Sequence, residues 1–428
     1  MIQTLDASGV NHKDAAINAM LDLTDCNYSS IEYGFDLTPE GGQAKTLTAN
    51  NLADKAFSYR DENLVMNTGY SYVAYVRLDD ILYKGETKTF TTTSIQDSET
   101  DLSSSASANC YIISEAGLYK FSTVKGNSSK SVGAVSSAEV LWETFGTDVT
   151  PNVGDLVKNI SYKNGEVTFQ TADTFTRGNA VIAAKDASGN ILWSWHIWFT
   201  DQPQSHVYNN NAGTMMDRNL GATSATPGDV GALGLLYQWG RKDPFLGSSS
   251  IDGFSLAKST ITWPSPVKSE SSTGTIEYAT AHPTTFITYN WENSDWYYTG
   301  DSSTDNTRWT TSEISKSIYD PCPSGWRVPD GGSNGIWSKA GFDTTTYDST
   351  NKGMSFSISS PSTTWYPASG YCTYSVGGLG SVGRNGYYWS ASPNSYVAYY
   401  LYFTRYGDVY PSYNNNRAGG FSVRCLQE

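Results

Sequence analysis

The chain has 428 residues, of which 38% are hydrophobic and only 16% charged, and its formal net charge at pH 7 is −14. This acidic balance excludes nucleic acid and anionic membrane surfaces as expected partners, because both attract Lys and Arg. The length exceeds what one hydrophobic core supports, and the 39 Gly and 30 Tyr residues favour strands and turns, so a mainly β protein of several domains is predicted.

Residues 1–94 are predicted to form a first β-sandwich. Apolar side chains alternate along three segments, which are Ile31–Leu37, Tyr70–Val76 and Lys88–Thr91. The order of these segments, with a corner from Leu64 to Tyr70, resembles the fibronectin type III modules of Bacteroides-group surface proteins. The tract that follows, residues 95–107, is rich in Ser, Thr and Asp and is predicted to be a linker.

Residues 108–200 are predicted to form a second, Ig-like β-sandwich. The strand-like segments are Tyr111–Ile113, Ala138–Trp142, Glu166–Phe169, Ala180–Ala184 and Ile191–Phe199. The turn Asp186–Asn190 predicts a hairpin between the last two. Along the final strand, Trp193, Trp195, Ile197 and Phe199 alternate, and we interpret them as core rather than as a carbohydrate-stacking platform. Charged residues interrupt the most hydrophobic run, Val181–Phe199, so no direct membrane span is predicted.

The region 201–428 changes to long loops dense in Gly, Ser, Asn and aromatic residues. Its motifs are, in chain order, Asp217–Ala222, Leu236–Gly240, Asp320–Pro329, Tyr388–Ser390 and Gly420–Cys425. Together they resemble the Fibrobacter-type major paralogous domain, a bacterial family related to C-type lectin-like folds and attached to lipoproteins and pilus-tip adhesins. The resemblance implies an α+β C-type-lectin-like domain that binds a ligand.

Four residues of this region are predicted to be structural: Cys322, Trp326, Trp389 and Cys425. Three prolines between residues 321 and 329 hold the backbone extended, which makes Trp326 an expected anchor at a domain seam. The alternating closing strand could bring Cys425 near Cys322. The residues leave open whether these two form a disulfide or are reduced, buried cysteines.

Residues suited to catalysis do not assemble in the sequence, so the chain is predicted not to be an enzyme. The four histidines lie far apart, and no HExxH motif occurs. The stretch Gly331–Gly335 has the letters of a nucleophile elbow, but no buried strand precedes it, and we interpret it as a turn. No cofactor is expected, although Asp295, Asp301 and Asp305 could hold a structural calcium ion.

The segment Gly386–Arg417 is rich in Tyr, with Asn and Ser between the tyrosines. In binding surfaces of this composition, Tyr supplies rigid contact area, while Asn and Ser supply adaptable hydrogen bonds. Alternation places Leu401 and Phe403 towards the core, which predicts that Tyr400 and Tyr402 face solvent. The predicted ligand-binding residues are Asn394, Tyr396, Tyr400, Tyr402, Arg405, Tyr406, Asp408, Tyr410, Tyr413, Asn414 and Asn415.

These features predict a non-catalytic adhesin or receptor-binding protein at the bacterial cell surface, with the sandwiches as a stalk. Its expected ligand is a protein or glycan on another cell or host surface. A structural pilin-like tip subunit and a phage receptor-binding protein stay open as alternatives. The chain starts without a secretory signal, so a signal or lipoprotein region upstream of it is expected for the cell-surface protein, whereas a phage particle needs none.

The composition of residues 394–416 raises one further hypothesis about the origin of the binding segment. These residues contain no Lys, Glu, Gln, Trp or Met. A diversity-generating retroelement, which replaces adenines in Asn-type codons, would produce the same bias. A Tyr-, Ser- and Asn-rich binding face would show a similar bias without such machinery.

Overall fold

The computed structural model describes residues 2–11, 13–24, 26–93, 99–311, 315–359 and 361–428. The chain divides into two compact units, Met1–Glu99 and Thr100–Glu428. Among the described residues, no helix is both long enough and apolar enough to cross a membrane.

The first unit is built from two antiparallel sheets around one core. Its strands are β1 (Ile2–Ser8), β2 (Ala15–Leu21), β3 (Ile31–Pro39), β4 (Lys45–Thr48), β5 (Ala56–Asp61), β6 (Gly69–Leu78), β7 (Ile81–Lys84) and β8 (Lys88–Thr91). One sheet has the order β1-β2-β5, and the other has the order β4-β3-β6-β7, with β8 also paired to β6. All three predicted strands are present. The predicted corner is closed by the Val65 N–H, which donates to the phenol oxygen of Tyr70 (2.8 Å), as in the tyrosine corner of Ig-type sandwiches.

The second unit begins with a sandwich of two four-stranded sheets. Its strands are β9 (Glu99–Asp101), β10 (Cys110–Ile113), β11 (Leu118–Ser122), β12 (Ser137–Thr144), β13 (Val157–Lys163), β14 (Glu166–Thr171), β15 (Gly178–Lys185) and β16 (Ile191–Phe199). The sheet orders are β13-β14-β11-β9 and β10-β16-β15-β12, and β10 runs parallel to β16. The five predicted strands and the β15–β16 hairpin are confirmed. Trp193, Trp195, Ile197 and Phe199 are buried in the core of this sandwich, as predicted.

The predicted linker, residues 95–107, needs a correction. Residues 95–98 lie outside the described residues, and the division between the two units falls inside this tract, after Glu99. Residues 104–106 are exposed, whereas residues 99–103 pair with the second sandwich. Strand β9 forms a sheet edge beside β11, and the Leu102 N–H donates to the Lys120 carbonyl (2.8 Å). Leu102 also packs against the core of the second sandwich. Main-chain pairing and the packing of Leu102 together hold this part of the tract on the second sandwich.

The opposite face of β16 is also buried. The predicted domain boundary at residue 200 therefore does not divide two compact units. The Trp198 indole donates to the Ala222 carbonyl (2.9 Å), and the Asn179 side chain donates to the Gly221 carbonyl (2.9 Å). Trp198 belongs to the same core as Leu220 of the C-terminal region. This second face carries Ser194 and His196 beside Trp198, and residues of the C-terminal region cover it.

The C-terminal region consists of short strands and long loops. Its strands are β17 (Ser205–Val207), β18 (Thr214–Met216), β19 (Leu236–Gln238), β20 (Val267–Lys268), β21 (Ile287–Thr288), β22 (Trp326–Arg327), β23 (Tyr347–Asp348), β24 (Gly353–Ser357), β25 (Thr363–Pro367), β26 (Tyr371–Cys372), β27 (Leu379–Gly380), β28 (Asn385–Asn394), β29 (Val397–Thr404), β30 (Val409–Asn416), β31 (Gly420–Ser422) and β32 (Leu426–Gln427). The largest sheet has the order β27-β26-β31-β28-β29-β30, with β19 paired to β31.

Helix is almost absent from the C-terminal region, which corrects the α+β expectation. Its described α-helices are α1 (Ile276–Ala281) and α2 (Ile336–Lys339), of six and four residues. Short 3₁₀ segments occur at Asn209–Asn211 and Val230–Ala232. Gly, Ser and Asn are poor helix formers, so this composition favours turns between the strands.

The predicted anchors differ in how far they are buried. Cys322 and Cys425 form a disulfide with a Cα–Cα distance of 6.0 Å, which settles the pairing that the sequence left open. Trp389 is fully buried, and its indole donates to the Tyr237 carbonyl (3.0 Å). Trp326 is partly buried and packs against the edge of the same core, so its predicted role as an anchor at a domain seam stays a prediction. It lies in a two-residue strand that pairs with β32.

Candidate binding surface

The predicted orientation of Tyr400 is wrong, although that of Tyr402 is confirmed in part. Leu401 and Phe403 are buried on one face of β29, as alternation predicts. Tyr400 lies on the other face but is only 1% exposed, because the rings of Trp389 and Phe421 pack against it at 5.8 and 5.0 Å. This part of the sheet is covered on both faces.

A β-bulge places two further tyrosines on the face of Tyr402. Tyr400 pairs with Tyr413, and Tyr402 pairs with Tyr410, so three residue steps on β30 oppose two steps on β29. In a regular strand, residues three apart point to opposite faces; the extra residue brings Tyr410 and Tyr413 to the same face. Each ring centroid lies 5.7 Å from that of Tyr402, in a stacked orientation.

Two tyrosines outside the predicted set extend this cluster across the sheet. The Tyr387 ring on β28 lies 5.1 Å from the Tyr402 ring, and the Tyr371 ring on β26 lies 4.6 Å from Tyr387. We call Tyr371, Tyr387, Tyr402, Tyr410 and Tyr413 the tyrosine surface. The Asn385 side chain donates to the phenol oxygens of Tyr387 (3.3 Å) and Tyr402 (3.1 Å).

Sequence signals for these two additional residues differ. Tyr387 lies two residues before the buried Trp389 and so shares its face, which alternation along β28 could have shown. Tyr371 belongs to a two-residue strand far from the Tyr-rich segment, and no local signal places it here.

The tyrosine surface grades from buried to exposed. Tyr387 is buried and Tyr402 partly buried, whereas Tyr410 and Tyr413 are 43% and 48% exposed. Burial raises the pKa of the Tyr402 phenol well above its ordinary value, and the neighbouring Tyr387 acts in the same direction. Burial also raises the pKa of the Tyr371 phenol. These hydroxyls are therefore neutral at physiological pH and can donate or accept hydrogen bonds without a charge to desolvate.

Three predicted residues lie in the turn between β29 and β30. The Arg405 guanidinium stacks on the Tyr406 ring at 4.9 Å and donates to its phenol oxygen (2.8 Å). The Thr404 hydroxyl donates to the Asp408 carboxylate (2.8 Å), which closes the turn. Asp408, Arg405 and Tyr406 are exposed. They form a separate group at one end of the hairpin.

The remaining predicted residues lie towards the other end of β29. Tyr396 is exposed in the turn that follows Asn394, and Asn414 is exposed on β30. An eight-residue strand is about 26 Å long, so these residues are remote from the turn at Arg405. The Asn415 side chain acts to lower the pKa of the buried Tyr400 phenol, against the larger opposite effect of burial. The predicted residues therefore form three groups along one hairpin.

Arg417 fixes the turn that carries Tyr396. Its buried guanidinium donates to the carbonyls of Ser395 (2.7 Å) and Val397 (3.1 Å). It also donates to the Asp305 carbonyl (3.0 Å), which ties this turn to a neighbouring loop. Arg417 is thus a positioning residue for this end of the hairpin.

The proposed calcium ligands do not converge on a cation. The Asp295 carboxylate is fully buried and forms a bidentate ion pair with Arg308, with Arg417 at 3.7 Å. Two guanidinium groups occupy the place where a cation would bind. The Asp301 and Asp305 carboxylates accept main-chain N–H groups within their own turns. In the described part of the chain, no group of three or more His, Cys, Asp or Glu residues could hold a metal ion.

Two residue types that often serve in catalysis, a serine and a histidine, have structural positions here. Ser333 of the Gly331–Gly335 stretch is exposed in a turn that precedes α2, as interpreted from the sequence. His196 is buried against Asn179, and burial lowers its pKa to about 3, so the ring is neutral.

No family model and no curated protein matches the sequence. Solved structures give distant similarity to a bacterial anti-sigma sensor domain and to fibronectin type III domains. The sensor domain of the anti-sigma factor RsgI4 from Pseudobacteroides cellulosolvens is 15% identical over 22% of this chain and 94% of that chain, with a TM-score of 0.19. A two-domain fibronectin type III segment of chicken tenascin is 11% identical over 46% of this chain and 98% of that chain (TM-score 0.20). The FN1–FN3 domains of chicken CNTN1 are 11% identical over 46% and 66% of the two chains (TM-score 0.17). Likenesses this distant carry no argument about function.

Proposed function

We propose that this chain is a non-catalytic binding protein that engages a protein or glycan ligand through the tyrosine surface. The observation that carries the proposal is the continuous cluster of five tyrosine rings, which is exposed at Tyr410 and Tyr413. Tyrosine provides large contact area with little loss of side-chain entropy on binding, and its hydroxyl makes the contact specific.

The support for this surface is energetic as well as geometric. Tyr410 and Tyr413 lie 5.3 Å apart, and their stacked contacts with Tyr402 hold both rings before any ligand arrives. A preorganised ring loses less conformational freedom on binding than a free one. Exposed aromatic side chains clustered on one face are typical of recognition sites.

The setting that fits this function is the bacterial cell surface, with an adhesin or receptor-binding role. A buried disulfide between Cys322 and Cys425 supports an oxidising compartment, because the cytosol keeps most thiols reduced. We also propose that residues 201–428 form a C-type-lectin-like domain of the Fibrobacter type. The order of its sequence motifs supports this relationship, whereas the near absence of helix departs from the implied α+β fold.

A glycan and protein array probed with the intact chain tests the proposed function. We expect specific signals that disappear in the double variant Tyr410→Ser/Tyr413→Ser. Tyr83→Ser is the matched control, because Tyr83 is as exposed as Tyr413 but belongs to the first unit. Signals that survive the double variant, or that disappear equally with Tyr83→Ser, would contradict a binding role for the tyrosine surface.

We also propose that a retroelement diversifies residues 394–416, which include Tyr410 and Tyr413. The support is the compositional bias of this segment. Sequencing the surrounding genome tests the idea. We expect a nearby reverse transcriptase gene and a template copy of this segment that differs at adenines. Their absence would remove diversification and leave the binding role intact.

A further inference from the structure

A pocket of about 310 Å³ opens beside β26, away from the tyrosine surface. Cys372 lines it, whereas the preceding residue, Tyr371, contributes to the tyrosine surface. Successive residues of a strand point to opposite faces, so a ligand on one site does not reach the other. The pocket is thus a second, independent feature of the C-terminal region.

Aromatic rings form the walls of this pocket. The Phe245 ring lies 5.2 Å from Phe286 in an edge-to-face contact and 6.1 Å from Trp263 at an interplanar angle of 49°. Phe245, Phe286 and Cys372 are buried in one small core with Leu236 of β19, so the base of the pocket is rigid. A planar aromatic ligand can pack against such rings by stacking or in edge-to-face contact.

The mouth of the pocket is apolar as well. Leu256 and Val376 line it and are 43% and 64% exposed, so both present apolar surface at the entrance. A turn holds Val376 there, because the Thr373 N–H donates to the Gly378 carbonyl and the Gly377 N–H donates to the Thr373 carbonyl (both 2.8 Å). Gly377 has φ +67°, and a Cβ there would lie 3.0 Å from the Phe286 ring.

The charge of the lining restricts the ligand. None of the described residues that line the pocket is charged, and Ser265 and Thr284 supply its side-chain hydroxyls. Burying an ion among such groups would cost far more than burying a neutral molecule. The Arg241 guanidinium packs on the Phe245 ring at 5.1 Å, but it is buried and donates to main-chain carbonyls.

The size of the site favours a small molecule over a protein. A stable protein interface buries about 800 Å² on each partner. The exposed apolar residues among the described lining are four, Leu256, Pro264, Pro266 and Val376, which is far less than such an interface needs. The volume matches the lower end of small-molecule sites, which begin near 300 Å³. We propose that this pocket binds a small, uncharged, planar aromatic molecule.

Calorimetric titration of the intact chain with indole tests this proposal. We expect saturable binding to one site with a Kd on the order of 0.1–1 mM, as for a ligand of this size. Indole-3-acetate should bind at least about tenfold more weakly, because its carboxylate would lose water in an uncharged pocket. The absence of saturable indole binding, or equal affinity for the two compounds, would overturn the proposal.

Variants of the turn locate the bound indole. A Cβ at Gly378 would meet nothing closer than Val376 at 3.8 Å, so Gly378→Leu adds bulk to the pocket without a clash. We expect it to weaken indole binding at least about tenfold. Ser375→Leu is the control, because Ser375 is exposed in the same turn but does not line the pocket. Ser265→Leu is a second filling variant, and thermal melting checks that each variant folds.

Two results would place indole elsewhere and refute the site. One is equal affinity in Gly378→Leu, Ser265→Leu and the unsubstituted chain. The other is loss of binding in Tyr410→Ser/Tyr413→Ser, which would show that indole stacks on the tyrosine surface. Retained binding in that double variant, together with loss in the filling variants, is the expected result.

Discussion

Replacement of Tyr400 by Ala tests whether this residue belongs to the core of the C-terminal region or to its binding surface. Tyr400 is 1% exposed and packs against Trp389, Phe421 and Tyr387. Truncation of a buried aromatic residue costs about 3–5 kcal/mol, since it removes apolar burial and leaves a cavity. Replacement of Tyr413 by Ala should lower the free energy of unfolding by about 1 kcal/mol or less, because Tyr413 is 48% exposed.

The difference between these two variants is large enough to measure. For a unit the size of Thr100–Glu428, 1 kcal/mol corresponds to roughly 1–2 °C in Tm. Tyr400→Ala should therefore lower Tm by about 3–10 °C, whereas Tyr413→Ala should shift it by about 2 °C or less. Tyr400→Phe is the matched control: it keeps the ring, removes only the hydroxyl group, and should cost about 1 kcal/mol.

Thermal melting and guanidinium titration, followed by near-ultraviolet circular dichroism, provide the measurement. The burial argument would be refuted if Tyr400→Ala and Tyr413→Ala lost the same stability. Ligand binding supplies an independent readout, because Tyr413→Ala should weaken binding while the domain stays folded. A stable Tyr400→Ala variant that lost binding would restore the original prediction that Tyr400 faces the ligand.

Three further predictions concern the rest of the second unit. Loss of the Cys322–Cys425 disulfide, which spans a sequence separation of 103, should cost up to about 5 kcal/mol in unfolding titrations of the Cys→Ser double variant; an unchanged midpoint would contradict this. His196 has a folded pKa of about 3, below its ordinary value of 6.5, so the stability from its neutral form is complete above pH 6.5 and is lost as the pH falls towards 3. Between these limits, the stability of the unsubstituted chain relative to His196→Gln should fall by about 1.4 kcal/mol per pH unit, and a constant difference would count against a buried neutral ring. Trp389→Ala should lower the free energy of unfolding by at least about 3 kcal/mol, and by more than Trp326→Ala does, because Trp326 is only partly buried. Equal losses of stability would show that both residues are anchors.

The sequence by itself determined the local elements of this protein. Alternation with period two places Tyr70–Val76 and Ile191–Phe199 in strands, because each must hide one apolar face. Turn-forming residues mark the hairpin at Asp186–Asn190, where the carboxylate accepts N–H groups of its own turn. Such signals are local, and therefore they survive without knowledge of the fold.

Only the tertiary structure decided which faces are covered and which residues meet. Period-two alternation gives Tyr400 and Tyr402 one face, but whether that face is open depends on Trp389 and Phe421 from other strands. The bulge that aligns Tyr410 with Tyr413 arises from pairing with β29, so β30 alone does not reveal it. Packing of the C-terminal region on β16 likewise joins two predicted domains into one compact unit. Each of these outcomes depends on contacts between residues that are remote in the sequence, and local patterns carry no information about such contacts.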